Sequence, residues 1–91
     1  MKESIIQKKI LTYLNSIDRS YFWKQAAGPF SVVGASDLVG LIDGKLYAFE
    51  VKRPGGKTTK MQLKFIDRIR IAGGVATVVF SVEDVKRVIA G

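Results

Sequence analysis

The sequence predicts a mixed α/β fold of order αβββαβα, a central sheet flanked by helices, and three observations lead there. Apolar residues recur at helical spacing near both ends of the chain and again between Thr59 and Ala72. Strand-like runs lie between them, two joined by the turn dipeptide Asp43-Gly44. A continuous apolar run, Val75 to Phe80, follows the middle helix, so it should return to the same sheet by a crossover and lie parallel to a neighbour.

From Lys2 to about Ile17, the residues Ile6, Ile10, Tyr13, Leu14 and Ile17 make one helical stripe. Extending the stripe backwards reaches Glu3, whose carboxylate then leans to the interior side. Two readings of Glu3 stand: a third acid of a site, or a charge that complements the helix dipole. Ser4 with Gln7 also matches a capping box that would leave Glu3 outside the helix. Asn15 to Ser20 supplies a turn, and Tyr21 to Ala26 is an aromatic-rich first strand. Lys24 and Gln25 are candidates to touch a phosphate backbone, although either also suits an ordinary polar strand position. Ala27 to Ala35, with Gly28, Pro29 and Gly34, reads as an irregular crossing loop.

The next two strands, Asp37 to Ile42 and Lys45 to Lys52, hold the chemistry. Asp-Gly best supplies the two positive-φ positions of a type I′ hairpin turn. A two-residue turn then pairs Ile42 with Lys45 and sets Asp37 directly opposite Glu50, with Cβ atoms roughly 4.5 to 5.5 Å apart. A three-residue turn would instead put Asp37 opposite Val51. Facing carboxylates repel, and a divalent cation removes that conflict. Mg²⁺ takes one or two carboxylates, and Lys52, on the same face, stands where an amine orients or activates an attacking water. With this pairing Leu38 meets Phe49, Val39 meets Ala48 and Leu41 meets Leu46, so both faces are apolar beyond the acidic end, as in strands covered on both sides.

Arg53-Pro54-Gly55-Gly56-Lys57 is a basic, flexible connection into the second helix. Thr59 and Gln62 form a capping box, Phe65, Ile66, Ile69 and Ala72 a buried stripe, and Gly73-Gly74 the stop. Gln62, in the first turn, is near enough to the E-x-K strand to reach the attacking water or the substrate. Lys57, Lys60, Lys64 and Arg68 line one side, either as a solvated face or as a track for a phosphate backbone. Ser81 and Asp84 cap a last helix bearing Val85, Val88 and Ile89.

Ninety-one residues suit one small domain, here 1–91, near the lower size limit for folding without a staple. The chain has no Cys and no His, which excludes disulfides, thiolate chemistry, imidazole bases and histidine metal sites. Catalysis must use carboxylates, amines or hydroxyls. No apolar run approaches a membrane span, and no signal-peptide pattern is present, so the expectation is a cytoplasmic protein with no membrane partner. A formal net charge of +7 favours an anionic partner, most simply nucleic acid, with Lys24, Arg53, Lys57, Lys60 and Lys64 as candidate contacts.

Taken together, the element order, Ser36-Asp37 at the second strand and Glu50-Val51-Lys52 in the third resemble the PD-(D/E)XK nuclease superfamily, with its restriction-endonuclease-like fold. More narrowly, the stretch from Gly34 to Asp84 is similar to the VRR-NUC (virus-type replication-repair nuclease) domain: acidic strand, Asp-Gly turn, E-x-K strand, glycine-bearing loop, T-x-x-Q helix start, and Gly-Gly before a strand. The resemblance spans nearly the entire chain. It implies that Asp37 and Glu50 hold Mg²⁺ or Mn²⁺, with the Val51 carbonyl as a backbone ligand, and that Lys52 is the catalytic lysine with Gln62 in support. Glu3 is the candidate acid from the first helix. Where the family has proline before the aspartate, this chain has Ser36, a position that contributes no ligand. Stand-alone versions in phages are similar to Holliday junction resolvases, which implies a homodimer or larger assembly, branched DNA, a role in replication, recombination or repair, and the host cytoplasm if phage-encoded.

Three activities compete. The first is a divalent-metal-dependent DNA endonuclease. The second is a nucleotide hydrolase using Gly55-Gly56-Lys57-Thr58, which the spacing opposes because Val51 stands where a P-loop needs its first glycine. The third is a non-catalytic basic nucleic-acid-binding module on the same fold, indifferent to loss of Glu50.

Overall fold

The computed structural model describes residues 1–26 and 34–91. Its elements are α1 (Glu3–Leu14), β1 (Ser20–Lys24), β2 (Leu38–Ile42), β3 (Lys45–Val51), α2 (Lys60–Ile71), β4 (Val75–Val79) and α3 (Val82–Ala90). The expected order αβββαβα is therefore present. The sheet runs β1-β2-β3-β4, with β1/β2 and β2/β3 antiparallel and β3/β4 parallel. None of the described helices is long and apolar enough to cross a membrane.

The hairpin has the predicted register. Asp43 and Gly44 take φ of 53° and 80°, and Leu38 pairs with Phe49, Gly40 with Tyr47 and Ile42 with Lys45. Gly40 answers a second constraint, because the Phe22 ring lies across it. A Cβ built there would sit 2.5 Å from that ring and 2.3 Å from the Tyr21 carbonyl oxygen. The space admits Phe22 to an aromatic group with Tyr47 and Phe49, whose ring centroids are 6.0 to 6.5 Å apart.

Alternation along the strands divides the core in two. On one face α1 and α3 cover Phe22, Leu38, Phe49, Val51 and Val79 with Ile6, Ile10, Leu14 and Val85. On the other, α2 lies over β3 and β4 and buries Ile66 against Ala48 and Ala76, flanked by Val39, Phe65, Ile69 and Val78.

Several expected boundaries differ. Helix α1 starts at Glu3, and its N-cap, Lys2, makes no side-chain capping bond, so the Ser4–Gln7 box does not form. It ends at Leu14, before Ile17, because Asn15 turns away to clamp β1: its amide nitrogen donates to the Phe22 carbonyl at 3.1 Å and its Oδ1 accepts from the Phe22 N–H at 2.8 Å. The Ser20 hydroxyl closes the helix end on the Leu14 and Ile17 carbonyls, each at 2.7 Å. Strand β1 stops at Lys24, although the Gln25 N–H still donates to the Asp37 carbonyl at 2.7 Å. Ala72 is the exposed C-cap of α2 and leaves the buried stripe. Phe80 falls outside β4 because its N–H is taken by the Asp84 carboxylate at the start of α3. The irregular loop expected over 27–35 lies, for 27–33, outside the described residues.

Candidate active site

The ladders continue past the ends of the strands proper. Gln25, Asp37, Glu50 and Val78 stand in one row across the sheet, on the face that α2 covers. This row brings the two carboxylates together, as the two-residue turn requires. Helix α2 begins beside them because the Thr59–Gln62 capping box sets its first turn.

The two acids are held differently. Asp37 Oδ2 accepts from the Val51 backbone N–H at 2.8 Å, a bond across the hairpin that fixes its side chain. Glu50 is 1% exposed, and its Oε2 accepts from Gln62 Nε2 at 3.1 Å and lies 3.4 Å from Lys52 Nζ. Its other oxygen, Oε1, is buried with no hydrogen-bond partner among the described residues. Burial first, then repulsion from Asp37 and a hydrogen bond that Asp37 accepts from the protonated form, push Glu50 from 4.5 to about 7. The charge and hydrogen bond of Lys52 pull the other way and are outweighed.

Gln62 joins two functions in one amide. Its Oε1 accepts from the Thr59 N–H at 2.8 Å, closing the capping box, and this leaves Nε2 aimed at Glu50. The Thr59 hydroxyl completes the box by accepting from the Gln62 N–H at 3.1 Å. The T-x-x-Q spacing predicts the box; that the same side chain reaches Glu50 follows from where α2 lies on the sheet.

The remaining candidates separate. The Glu3 carboxylate reaches the loop after β3, where its Oε2 and the Lys52 Cβ flank Gly56. It does not join the pair: among the described residues no three Asp, Glu, His or Cys side chains are grouped closely enough to hold one metal ion. Val51 is buried, and its bond to Asp37 is made by its N–H. Lys24 points to the opposite face, where it lines a cleft with Ser4, Gln7 and Lys8 of α1. Arg53 and Lys57 are exposed on the loop after β3, and Lys60 and Lys64 are exposed on α2, where they border a groove with Leu63, Asp67 and Arg70.

The donor set suits a hard divalent cation. It consists of two carboxylates on adjacent strands with a buried oxygen left unpaired, and oxygen-only donors of this kind favour Mg²⁺ or Mn²⁺. The amine of Lys52 and the amide of Gln62 both address the same Glu50 oxygen, which keeps that carboxylate turned so that Oε1 remains free.

Compared with known proteins, the sequence matches no family model and no curated protein. Solved structures do match. The chain is similar to a VRR_NUC domain with a TM-score of 0.78 and 27% identity, covering 97% of this chain and 94% of that one. It is also similar to a VRR_NUC domain protein with a TM-score of 0.77 and 19% identity, covering 99% and 86% respectively, a likeness of fold alone. These neighbours extend over nearly the whole chain.

Proposed function

From a chain with the VRR_NUC fold and this constellation, we propose a divalent-metal-dependent DNA endonuclease that hydrolyses phosphodiester bonds. The observation that carries the proposal is the buried Oε1 of Glu50, unpaired and opposite Asp37: once the proton that the two carboxyl groups can share is lost, a cation bound between them would satisfy that oxygen and separate the two charges. Asp37 and Glu50 would hold the ion. When bound, it would supply Lewis-acid activation of the phosphodiester and of the attacking water.

The protein's own groups account for the rest. Lys52, 3.4 Å from Glu50, would orient or activate the attacking water and, with the ion, stabilise the negative charge that develops on the phosphate. Gln62 holds Glu50 in one orientation, with its own amide fixed by Thr59. The exposed Arg53, Lys57, Lys60 and Lys64 offer cations to the flanking phosphates. A small basic chain with one such site cuts one strand, so the proposal includes a homodimer or larger assembly and branched DNA as substrate, in replication, recombination or repair.

The test is cleavage of labelled single-stranded, duplex, flap and four-way-junction DNA in Mg²⁺, Mn²⁺ or EDTA, for wild type and Glu50→Ala. Metal-dependent cutting that falls by roughly 10²- to 10³-fold in the variant is expected. Salt-sensitive binding without cutting in any metal, unchanged by Glu50→Ala, would identify a non-catalytic nucleic-acid-binding module instead.

A further inference from the structure

Helix α2 covers only part of its face of the sheet. Beyond it, on β1 and β2, Tyr21, Trp23 and Leu41 are 68%, 38% and 38% exposed. All three share the face of Asp37 and Glu50, since Tyr21 pairs with Leu41, Trp23 with Val39, and Val39 with Ala48. The two aromatic rings stand 5.9 Å apart at 39°, tilted and not stacked on one another. Trp23 Nε1 donates to Gln25 Oε1 at 3.1 Å, which fixes the indole in its plane. Gln25 itself stands in the row of Asp37, and its amide nitrogen makes no hydrogen bond among the described residues.

From this arrangement we infer that Trp23 and Tyr21 form a stacking platform for an unpaired nucleobase next to the scissile phosphate, with Gln25 donating to the edge of the base. The inference rests on the nuclease reading and narrows its substrate to DNA with a locally unpaired strand. The site's chemistry selects this occupant over a phosphate backbone. Among the described residues, no Lys or Arg of β1 or β2 stands on this face between Tyr21 and Asp37, whereas Lys52 lies beside Glu50 at the end of β3, with Lys57 on the loop that follows and Lys60 at the start of α2. Phosphates are therefore drawn to the β3 and α2 side of Glu50, and an exposed aromatic surface lies on the β1 side. Base–aromatic stacking tolerates any sequence, because every base has a π-face. The reach is suitable: one strand across and one pleat along separates Trp23 from Asp37 by roughly 8 Å, about one nucleotide step. A base stacked between its neighbours inside a duplex has no free face to offer this surface.

Trp23 is the chain's single tryptophan, so its emission reports the platform directly. The experiment titrates the protein in EDTA with a short oligothymidylate and, separately at equal nucleotide concentration, with a long duplex whose ends are a negligible fraction of its base pairs. Quenching by the single strand and little by the duplex is expected. Anisotropy of the labelled single strand should show binding weakened roughly tenfold or more in Trp23→Ala and largely retained in Trp23→Phe. Equal quenching by both DNAs, or none by either, overturns the platform. So does a change of molecular mass by light scattering in Trp23→Ala with unaltered oligonucleotide affinity, which would assign the face to a second copy of the chain. Metal-dependent cleavage of duplex DNA without single-strand quenching refutes the platform and leaves the nuclease reading standing. No binding and no cleavage of any DNA refutes both.

Discussion

The two faces of the sheet are built for different ends. Under α1 and α3, Ile10, Leu14, Leu38, Phe49, Val51, Val79 and Val85 are all fully buried, and the aromatic group around Gly40 fills the remaining space. Under α2 the buried apolar residues among those described are Ala48, Ile66 and Ala76, beside a buried carboxylate with an unpaired oxygen. One face therefore supplies most of the apolar burial that holds the fold. The other gives up burial to position charge. Stability and chemistry should accordingly respond to substitutions on opposite faces.

The largest stability effect is expected on the sealed face. Leu14→Ala removes a fully buried side chain among close-packed neighbours and should cost about 2–5 kcal/mol in urea unfolding. Gly40→Ala, which drives a methyl group into Phe22 and the Tyr21 carbonyl, should cost about 1–3 kcal/mol. If either proves neutral, the division between faces is wrong.

On the α2 face the expected signature is a dependence on pH. Glu50 has its carboxyl raised from 4.5 to about 7 in the fold. Its protonated form is the favoured one, so the stability it contributes is complete below pH 4.5 and is lost as pH rises through about 7. The loss is on the order of 3 kcal/mol. Metal-free protein should therefore melt lower at pH 8 than at pH 5, and Glu50→Gln should flatten that difference. Identical pH profiles for the two proteins would remove the basis for a strained acidic site. Added Mg²⁺ or Mn²⁺ should restore the wild type at pH 8 and leave Glu50→Gln unmoved.

Gln62→Leu tests the link between helix cap and site. Losing the amide frees the Glu50 side chain and should lower cleavage roughly 10- to 100-fold, with a smaller loss of stability from the broken capping box. A fall in stability with unchanged cleavage would confine Gln62 to capping. The smallest effect is expected at Ser36, buried with an unpartnered hydroxyl; Ser36→Ala should shift stability by less than about 1 kcal/mol, towards stabilisation.

Much of this was legible in the sequence because the relevant forces are local. Asp43-Gly44 determines the turn, the turn sets the register, and the period of two then places Asp37 against Glu50 independently of every other element. Thr59 and Gln62 likewise announced the start of α2, since a capping box closes within four residues. Helix ends were less legible. Ile17 fits the apolar stripe of α1 and still packs on the core, yet the helix stops earlier because Asn15 and Ser20 find partners that the stripe cannot reveal.

The tertiary structure alone decided what each side chain experiences. Both carboxylates face one another by register, but only the docking of α2 buried Glu50, gave it Gln62 and left one oxygen unpaired, while Val51 took up Asp37. Glu3 was carried to the loop after β3 and kept out of the pair by the way α1 crosses the opposite face. The open aromatic surface on β1 exists because α2 lies over β3 and β4. The pattern of bonds along a chain follows from neighbouring residues, whereas desolvation depends on which distant element comes to lie on top. That is why register could be read from the residues, and the proton affinity of Glu50 could not.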